Sequence, residues 1–359
     1  MEVNPIIAEN LSALKLFYSQ AIFHFKKACE SLKYESVFNF SIANRDLVIR
    51  SAGKNLQEIT CHALKHIEKV DSPTFSNPSF EILVWDEKES GIPMPNQPWE
   101  TPNNLVEDSF VQFHLAEFFV SQFDNQSILF IYNEQENQAI CIIQDAKNLN
   151  NSFRSSPYFK LIALWASKQK LNILHAGCVS YANKAVLIVG KSGKGKSSTS
   201  VQCLIGGLDY LSDDYIVVDI NGEKPIAHSL FNTGKLKNKH IDRFNKIQGK
   251  YIQGILDKND KPLLFLHDYF NEQIIKSAEI KAIIVPNIVQ EKHASYEFIS
   301  PAESLRALAP STLIQLKINN LNELHSLANL TRNLPNYQLN IGSDLDHISY
   351  KVKELITSL

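Results

Sequence analysis

Hydrophobic positions follow helical and strand periods in turn along the first part of the chain. Between residues 7 and 33, apolar side chains recur every three or four positions, which predicts one amphipathic helix. Segments 37–42 and 46–49 are short, apolar and separated by a turn, and they predict two paired strands. A helix at about 55–69 and a strand at 80–85 follow, so the pattern predicts a mixed domain.

The remainder of the N-terminal region, up to about residue 150, is predicted to contain a proline-rich loop and a hairpin. Four prolines lie within residues 86–104 and predict a long loop. The apolar segments 127–132 and 139–143 predict a hairpin, and a helix is expected at about 156–170. We therefore predict a smaller N-terminal α+β domain over 1–150, with antiparallel pairing. Its expected role is to present or recognise a substrate.

The second predicted domain, residues 151–359, changes character around a glycine-rich stretch. Six of the 13 glycines lie between Gly177 and Gly207, and glycine marks backbone that turns sharply or is closely approached. The β-branched run 185–189 predicts a strand buried on both faces. Segment 198–204 contains neither Pro nor Gly and is followed by two glycines, so it predicts a helix that ends there.

The glycine loop between that strand and that helix carries the pattern G-x4-G-K-[ST]. Residues 190–197 read GKSGKGKS, and ordinary residue frequencies give this pattern by chance in about one chain of this length in a hundred. In such a loop the backbone amides and the helix dipole bind phosphate, the lysine faces the β- and γ-phosphates, and the hydroxyl binds Mg²⁺. The predicted nucleotide-binding residues are Gly190, Ser192, Gly193, Lys194, Gly195, Lys196, Ser197 and Ser198.

Individual positions of the loop carry different expectations. A side chain at Gly193 or Gly195 would keep the amides away from the phosphate oxygens. Lys196 supplies the full positive charge, whereas Lys191 and Lys194 are expected to point to solvent more often than to phosphate. A glycine-rich turn with a solvated lysine is the alternative interpretation of the same residues.

Two adjacent acids, Asp213 and Asp214, lie 16 residues after Ser197. Beside Mg²⁺, one carboxylate can bind the metal or its water while the other accepts a proton from an attacking hydroxyl. Taken alone, such a pair between two strands is usually a turn. His175 begins the segment His-Ala-Gly-Cys-Val in the strand before the loop strand. It is as consistent with a hydrogen-bonded core residue as with a site residue.

Composition and charge narrow the classes of function. The 359 residues are 44% hydrophobic and 21% charged, which suits about two domains. With 36 basic and 38 acidic residues, and no basic run beyond 235–240, the chain lacks the charge excess of nucleic-acid-binding proteins. The five cysteines show no zinc-like spacing, and no 18-residue apolar run predicts a membrane helix. Without a targeting segment at its start, the chain is expected to be cytoplasmic.

The stretch 175–214 resembles HPr kinase/phosphorylase, a bacterial P-loop kinase whose core is related to that of phosphoenolpyruvate carboxykinase. The resemblance lies in the segment that begins at His175, in the loop 190–197 and in Leu-Ser-Asp-Asp at 211–214. It implies an α/β P-loop kinase core, joined here to the smaller N-terminal α+β domain.

Carried over residue by residue, the resemblance assigns roles. Lys196 would bind phosphate, and Ser197 together with Asp214 would bind Mg²⁺. Asp213 would act as the general base, and His175 would lie near the transferred phosphoryl group. Because hexamers occur among HPr kinases, a homo-oligomer is also open.

The rest of the second half resembles HPr-kinase-like proteins of bacterial gene neighbourhoods, some beside peptide-modification enzymes. Relatives in lasso-peptide clusters phosphorylate the precursor peptide on a serine. The segments that carry this resemblance are 229–236, 282–286, 307–312, 327–335 and 337–342.

The chain departs from the true HPr enzymes in one respect. It lacks the glycine-rich segment after the paired acids that those enzymes use for the reverse, phosphorylase reaction, so HPr is not the expected acceptor. Lys235, about 20 residues after the acids, could approach either substrate, although an exposed loop lysine is the commoner case. Arg332 is the other candidate cation, with a structural salt bridge as the commoner role.

The sequence therefore predicts a kinase that uses ATP and Mg²⁺ to phosphorylate a hydroxyl. Two acceptors stay open, a serine of a peptide or small protein and a small-molecule alcohol. The alternative from another class is a regulatory or scaffold protein that binds a nucleotide without transferring phosphate. An ATP hydrolase is less well supported because no arginine finger is visible. Neither nucleic acid nor a membrane is an expected partner.

Overall fold

The chain forms two compact units. The computed structural model describes residues 11–70, 75, 77–99, 110–123, 128–236, 244, 247, 249–252, 261–316 and 321–359. The first unit comprises Met1–His62 and Glu68–Trp165, and the second comprises Ala63–Ile67 and Ala166–Leu359. Within the described residues, no helix is both long and apolar enough to cross a membrane.

The first unit is a seven-stranded sheet with helices. Its elements are α1 (Leu11–Leu32), β1 (Ser36–Ile42), β2 (Arg45–Ala52), α2 (Lys54–Thr60), β3 (Phe80–Asp86), α3 (Glu87–Ser90), β4 (Phe110–Leu115), β5 (Phe118–Phe123), β6 (Ile128–Asn133), β7 (Gln138–Ile143), α4 (Asn151–Ser155) and α5 (Phe159–Lys168). A 3-10 helix at Ala146–Asn148 precedes α4. The strand order is β1-β2-β3-β7-β6-β5-β4.

Pairing in this sheet corrects one expectation. The predicted hairpins at β1–β2 and β6–β7 are antiparallel as expected. However, β3 lies between β2 and β7 and is parallel to both, so the sheet is mixed. Strand β3 is buried along nearly its whole length, as a strand covered on both faces must be. The apolar stripe of α1, including Phe17 and Phe25, packs against Trp85 and Trp99 in the core.

The prediction of one continuous helix at 55–69 is wrong. Helix α2 ends at Thr60, and a 3-10 helix follows at His62–Ile67. Residues 63–67 of that turn belong to the second unit, where the Ala63 carbonyl accepts hydrogen bonds from Asn232. Tertiary contacts therefore override the helical propensity of this segment, which nothing in its own sequence reveals.

The second unit contains a nine-stranded mixed sheet with helices, consistent with an α/β fold. Its elements are β8 (Asn172–Leu174), β9 (Gly177–Tyr181), β10 (Lys184–Ile188), α6 (Lys196–Ile205), β11 (Asp209–Ser212), β12 (Ile216–Asp219), β13 (Ile226–Ser229), β14 (Thr233–Lys235), β15 (Leu263–Phe265), α7 (His267–Phe270), β16 (Ser277–Ile288), β17 (Ser295–Phe298), α8 (Pro301–Leu316), α9 (Leu321–Asn333), β18 (Asn336–Ile341) and α10 (Leu345–Ser358). Strands β14 and β15 pair separately.

Three parallel strands organise this unit. The order is β11-β9-β10-β16-β13-β12-β8, and β18 pairs with the later part of β16 and with β17. Strands β10 and β18 each pair in parallel with β16, so the carboxyl ends of the three strands lie at one edge of the sheet. Apolar side chains fill both faces, with α8 and α9 contributing to one cluster and α10 to the other.

Helix α6 lies close against the sheet because a glycine lets it approach. A Cβ at Gly177 of β9 would come within 2.3 Å of the Ser200 hydroxyl on α6. Ser200 in turn donates to the Lys196 carbonyl one turn earlier. The first turn of α6 is thus held against β9, next to the strand that leads into the glycine loop.

Candidate functional site

A cavity of about 530 Å³ opens where the three parallel strands end. The loop after β10, the residues at the end of β16 and the residues after β18 all contribute to its lining. The carboxyl edge of parallel strands is where open α/β sheets bind their ligands. The cavity therefore lies where a ligand of this fold class is expected.

The glycine loop needs glycine for its backbone shape. Gly193 and Gly195 have φ angles of 82° and 100°, in the left-handed region that strains other residues. A Cβ would meet no atom within 4 Å at Gly193, but at Gly195 it would lie 3.1 Å from Ile341 Cδ1. The loop is thus fixed by backbone conformation at the first position, and by conformation and packing at the second.

Helix α6 begins at Lys196 without a side-chain cap. Gly195 occupies the cap position and provides no hydrogen bond from a side chain. Residues 195–199 line the cavity. The uncapped start of a helix presents amide donors and partial positive charge, which together favour an anion.

Lys196 is buried beside the loop that it follows. Its side chain is 7% exposed, and Nζ donates to the Gly190 carbonyl at 2.6 Å. Burial lowers the pKa of Lys196, while the charges of Asp214 and Asp213 act in the opposite direction. The ammonium is therefore folded back across the loop, at the wall of the cavity.

Asp214 lies between two basic side chains. His175 Nε2 is 2.7 Å from Asp214 Oδ1, and Lys235 Nζ is 2.8 Å from Oδ2. Although burial pushes the pKa of Asp214 upward, Lys235 and His175 outweigh it and hold that pKa well below its usual range. Asp214 is consequently ionised at any ordinary pH, and each of its oxygens already has a cationic or hydrogen-bonding partner.

Asp213 is the more buried acid and has an unused oxygen. Its residue exposure is 2%, and Oδ2 accepts the Lys235 backbone amide at 2.9 Å. Among the described residues, Oδ1 has no hydrogen-bond partner of normal geometry. Burial, followed by the charge of Asp214, raises the pKa of Asp213, while the nearby Ser197 hydroxyl and Lys235 lower it. The two adjacent acids therefore have opposite pKa shifts.

His175 does not lie within a strand, which corrects the expectation. Strand β8 ends at Leu174 and β9 begins at Gly177, so His175 occupies the bend between them. Its backbone amide donates to Thr312 Oγ1 at 3.2 Å, and its ring carries the contact to Asp214. The bend lets the imidazole leave the sheet and reach the acid pair.

Most of the predicted site residues meet in this cavity. Its lining includes six of the loop and helix positions together with the histidine and one acid, namely Ser192, Gly193, Gly195, Lys196, Ser197, Ser198, His175 and Asp214. The Gly190 carbonyl accepts a hydrogen bond from the Lys196 ammonium. Asp213 is buried beside Asp214 and does not line the cavity. Lys191 and Lys194 are exposed and outside the lining. Arg332 is exposed on α9 and also outside it.

Sequence reasoning missed several residues of the cavity. Lys235, predicted as a cation that could approach either substrate and more commonly as an exposed loop lysine, lies in β14 and contacts both acids. Lys261 and the apolar residues Ile288 and Ile341 also line the cavity. None belongs to a motif, and the chain brings them to the loop only through the order of its strands.

The oxygen atoms of this site match the ligands that Mg²⁺ prefers. Ser197 offers a hydroxyl and Asp214 an ionised carboxylate, and both residues line the cavity. Mg²⁺ is usually held by one or two carboxylates together with substrate phosphates and water. No cluster of three or more His, Cys, Asp or Glu side chains suited to a metal occurs in the described part of the chain. The residues fit a metal shared with a phosphate ligand.

Comparison with known proteins adds little to this geometry. No protein-family model matches the chain, and no curated protein matches it. Among solved structures it is similar to the Hpr(Ser) kinase/phosphatase from Coxiella burnetii, with 12% identity and a TM-score of 0.27. That alignment covers 52% of this chain and 97% of the other. A similarity of this size supports no conclusion about function, which must rest on the site itself.

Proposed function

We propose that this protein is a kinase that transfers the γ-phosphoryl group of ATP to a hydroxyl, with Mg²⁺. One observation carries the proposal: the glycine loop with Lys196 lines one cavity together with Asp214, and the buried acid Asp213 adjoins Asp214. A phosphate-binding loop alone would suit any nucleotide-binding protein. A second, buried acid with a raised pKa adds the group that proton removal from an alcohol needs.

The donor side of the reaction is electrostatic. The amides at the start of α6 and the Lys196 ammonium would bind the triphosphate, and Lys261 adds positive charge to the same cavity. In phosphoryl transfer most of the catalysis comes from positioning and from neutralising charge on the transferred group. A lysine held in place before the ligand binds costs little reorganisation during the reaction.

The acceptor side depends on Asp213. Its Oδ1, which has no hydrogen-bond partner of normal geometry among the described residues, would accept the proton of the attacking hydroxyl. A raised pKa makes a carboxylate a better base, provided that it stays ionised at the working pH. Asp214, kept ionised by His175 and Lys235, would raise the pKa of Asp213 through its negative charge. It would also fix the orientation of the His175 ring.

Mg²⁺ would be held by Ser197 and Asp214. When bound, it would neutralise the charge of the β- and γ-phosphates. Because Lys235 and His175 occupy the oxygens of Asp214, the ion and these cations compete for the same carboxylate. The acceptor would be a serine of a peptide or small protein, or a small-molecule alcohol.

Transfer of labelled phosphate tests the proposal. The full chain is incubated with Mg²⁺ and ATP labelled at the γ-phosphate, together with either a peptide pool or a metabolite pool. We expect label on a hydroxyl group, with none when Lys196→Ala replaces the wild type. Calorimetry that detects no binding of ATP with Mg²⁺ would contradict the proposal. Tight ATP binding without any labelled product would instead favour a nucleotide-binding scaffold.

A further inference from the structure

One cation of the acid pair belongs to a short ribbon whose backbone is held in place. Lys235 ends β14, which pairs with β15 in a separate two-stranded sheet. The Tyr210 hydroxyl donates to the Thr233 carbonyl at 2.7 Å, and both residues are buried. A Cβ at Gly234 would lie 3.5 Å from the Val201 side chain on α6. The backbone that leads to Lys235 is therefore both hydrogen-bonded and packed.

The side chain of Lys235 is freer than its backbone. The amide donates to Asp213 Oδ2 at 2.9 Å, whereas Nζ lies 2.8 Å from Asp214 Oδ2. The side chain is 17% exposed and lines the cavity, and lysine carries its ammonium on a flexible four-carbon stem. The ammonium can therefore exchange Asp214 for another anion in the cavity while the amide stays on Asp213.

His175, the other partner of Asp214, is held at its backbone and at its ring. Its amide donates to Thr312 Oγ1 at 3.2 Å, and the centre of its ring lies 5.6 Å from that of the Tyr215 ring. Its side chain is 8% exposed, less than half the value for Lys235. Of the two oxygens of Asp214, the one that Lys235 contacts is thus the easier to release.

Charge decides when Lys235 gives up this oxygen. Its ammonium would lie close to a divalent ion on the same carboxylate, and like charges repel strongly inside a protein. A phosphate chain on the glycine loop brings negative charge into the cavity, where it attracts the ammonium through charge-assisted hydrogen bonds. Metal and phosphate together therefore favour the movement of Lys235, whereas the metal alone offers the ammonium no new partner.

We propose that Lys235 neutralises Asp214 before a nucleotide binds, gives up this carboxylate when Mg²⁺ arrives with the nucleotide, and then binds the transferred γ-phosphoryl group. The inference rests on the proposed function, because it assumes that the loop binds a triphosphate. It adds a catalytic residue and an order of binding, since the site would take up the metal with the nucleotide and not before it. Lys235 would supply from within the chain the positive charge that an arginine finger supplies in other phosphoryl-transfer enzymes.

Two titrations of the full chain test the exchange, with Mn²⁺ in place of Mg²⁺ so that the bound metal can be followed by electron paramagnetic resonance. The first uses Mn²⁺ alone, and the second uses Mn²⁺ with the β,γ-imido analogue of ATP. We expect Lys235→Met to bind Mn²⁺ alone about tenfold more tightly than wild type, and the analogue with Mn²⁺ about tenfold more weakly. ADP with Mn²⁺, which has no γ-phosphoryl group, should not be weakened.

Opposite changes in the two titrations exclude a purely structural effect, because a damaged site would lose affinity in both. Lys224→Met is the matched control, since Lys224 Nζ pairs with Glu279 at 3.5 Å in the same unit but outside the cavity lining. It should bind both ligands as wild type does. Lys235→Arg keeps the charge and should also resemble wild type. Lys235→Gln, which is uncharged, provides the same comparison if Lys235→Met does not fold.

The outcomes separate this inference from the proposed function. If Lys235→Met binds Mn²⁺ alone no more tightly than wild type, Lys235 does not occupy the oxygen that the metal uses. If it binds the analogue as tightly as wild type, Lys235 does not reach the γ-phosphoryl group. Either result overturns the inference, while loss of analogue binding in Lys196→Ala would still support the loop. If wild type does not bind the analogue with Mn²⁺, the proposed function fails and this inference fails with it.

Discussion

The Lys235 ammonium lies 2.8 Å from Asp214 Oδ2, while the backbone amide of the same residue donates to Asp213. One residue therefore holds two neighbouring carboxylates through two different groups. Only the side-chain contact carries a full charge. A substitution at Lys235 can remove the ion pair from Asp214 and keep the hydrogen bond to Asp213.

Lys235→Met should move the acidic limb of the transfer rate to higher pH. Lys235 lowers the pKa of Asp213, the proposed base, as well as that of Asp214, so its removal raises both pKa values and the base becomes protonated at a higher pH. We also expect the rate at neutral pH to fall by about tenfold or more, which corresponds to roughly 1.4 kcal/mol of transition-state free energy. The pH dependence of the initial rate measures both effects. Lys235→Arg, which keeps the charge, should stay close to wild type, and an unmoved acidic limb in Lys235→Met would count against the role of this ion pair.

Lys196→Ala should remove phosphoryl transfer almost completely. The buried ammonium faces the phosphates in the proposed complex, and its loss should cost on the order of 10³-fold in rate. Lys191→Ala is the matched control, because Lys191 lies in the same loop but is exposed and outside the cavity. Rates of the two variants under saturating ATP decide the matter. Substantial turnover by folded Lys196→Ala protein would remove this lysine from the mechanism.

Asp213→Asn should separate binding from transfer. The amide cannot accept the proton of the attacking hydroxyl, so we expect the rate to fall by about 10²- to 10⁴-fold. The affinity for ATP with Mg²⁺, measured by calorimetry, should stay within a few-fold of wild type. Asp214→Asn should weaken that affinity through the lost metal ligand. The reverse pattern, with binding lost only in Asp213→Asn, would exchange the roles of the two acids.

His66 should make the stability of the protein fall in acid. Ser229 Oγ donates to the Leu211 carbonyl at 2.6 Å, so His66 Nε2, 2.7 Å from Ser229 Oγ, must be the donor to it. Burial, with His267 and Lys276, lowers the pKa of His66 from 6.5 to about 3. Between these values the unfolded chain binds a proton that the folded chain does not. The free energy of unfolding therefore decreases as pH falls through this window, by about 1.4 kcal/mol per pH unit.

Urea denaturation at pH 7, 6 and 5 checks this contribution. His66→Gln keeps a side-chain donor for Ser229 but has no titrating group, so the stability of the wild type relative to the variant should fall with pH and change sign between pH 6 and pH 5. The variant should lose roughly 1 kcal/mol at pH 7 from imperfect packing. A difference that stays constant with pH would show that His66 takes up its proton equally in both states.

The site could be predicted from sequence where its residues are local. Strand β10, the glycine loop and helix α6 follow one another directly in the chain. The apolar run 185–189, the positions of the glycines and the absence of Pro and Gly in 198–204 are therefore sufficient to predict all three. His175 was assigned to a strand because its neighbours are apolar. The bend that releases it depends on Thr312, more than a hundred residues later, which accepts its amide.

The rest depends on strand order, which periodicity does not reveal. Ile341 and Thr199 meet at one cavity because β18 lies beside β16, and β16 beside β10. The parallel position of β3 between β2 and β7 is equally non-local, and a reading of neighbouring segments gave only antiparallel hairpins. Lys235 gained its significance in the same way, from the fold that brings β14 to the acids.

Residues 63–67 have a practical consequence for anyone who wishes to dissect this protein. They sit between two stretches of the first unit in the chain, yet their partners Ser229 and Asn232 belong to the second. In a fragment that starts at residue 166, the Ser229 hydroxyl would lose the imidazole of His66 that donates to it. The backbone and side-chain amides of Asn232 would lose the Ala63 carbonyl that accepts their hydrogen bonds. The second unit is therefore not one continuous stretch of the chain, and no single cut can release it intact.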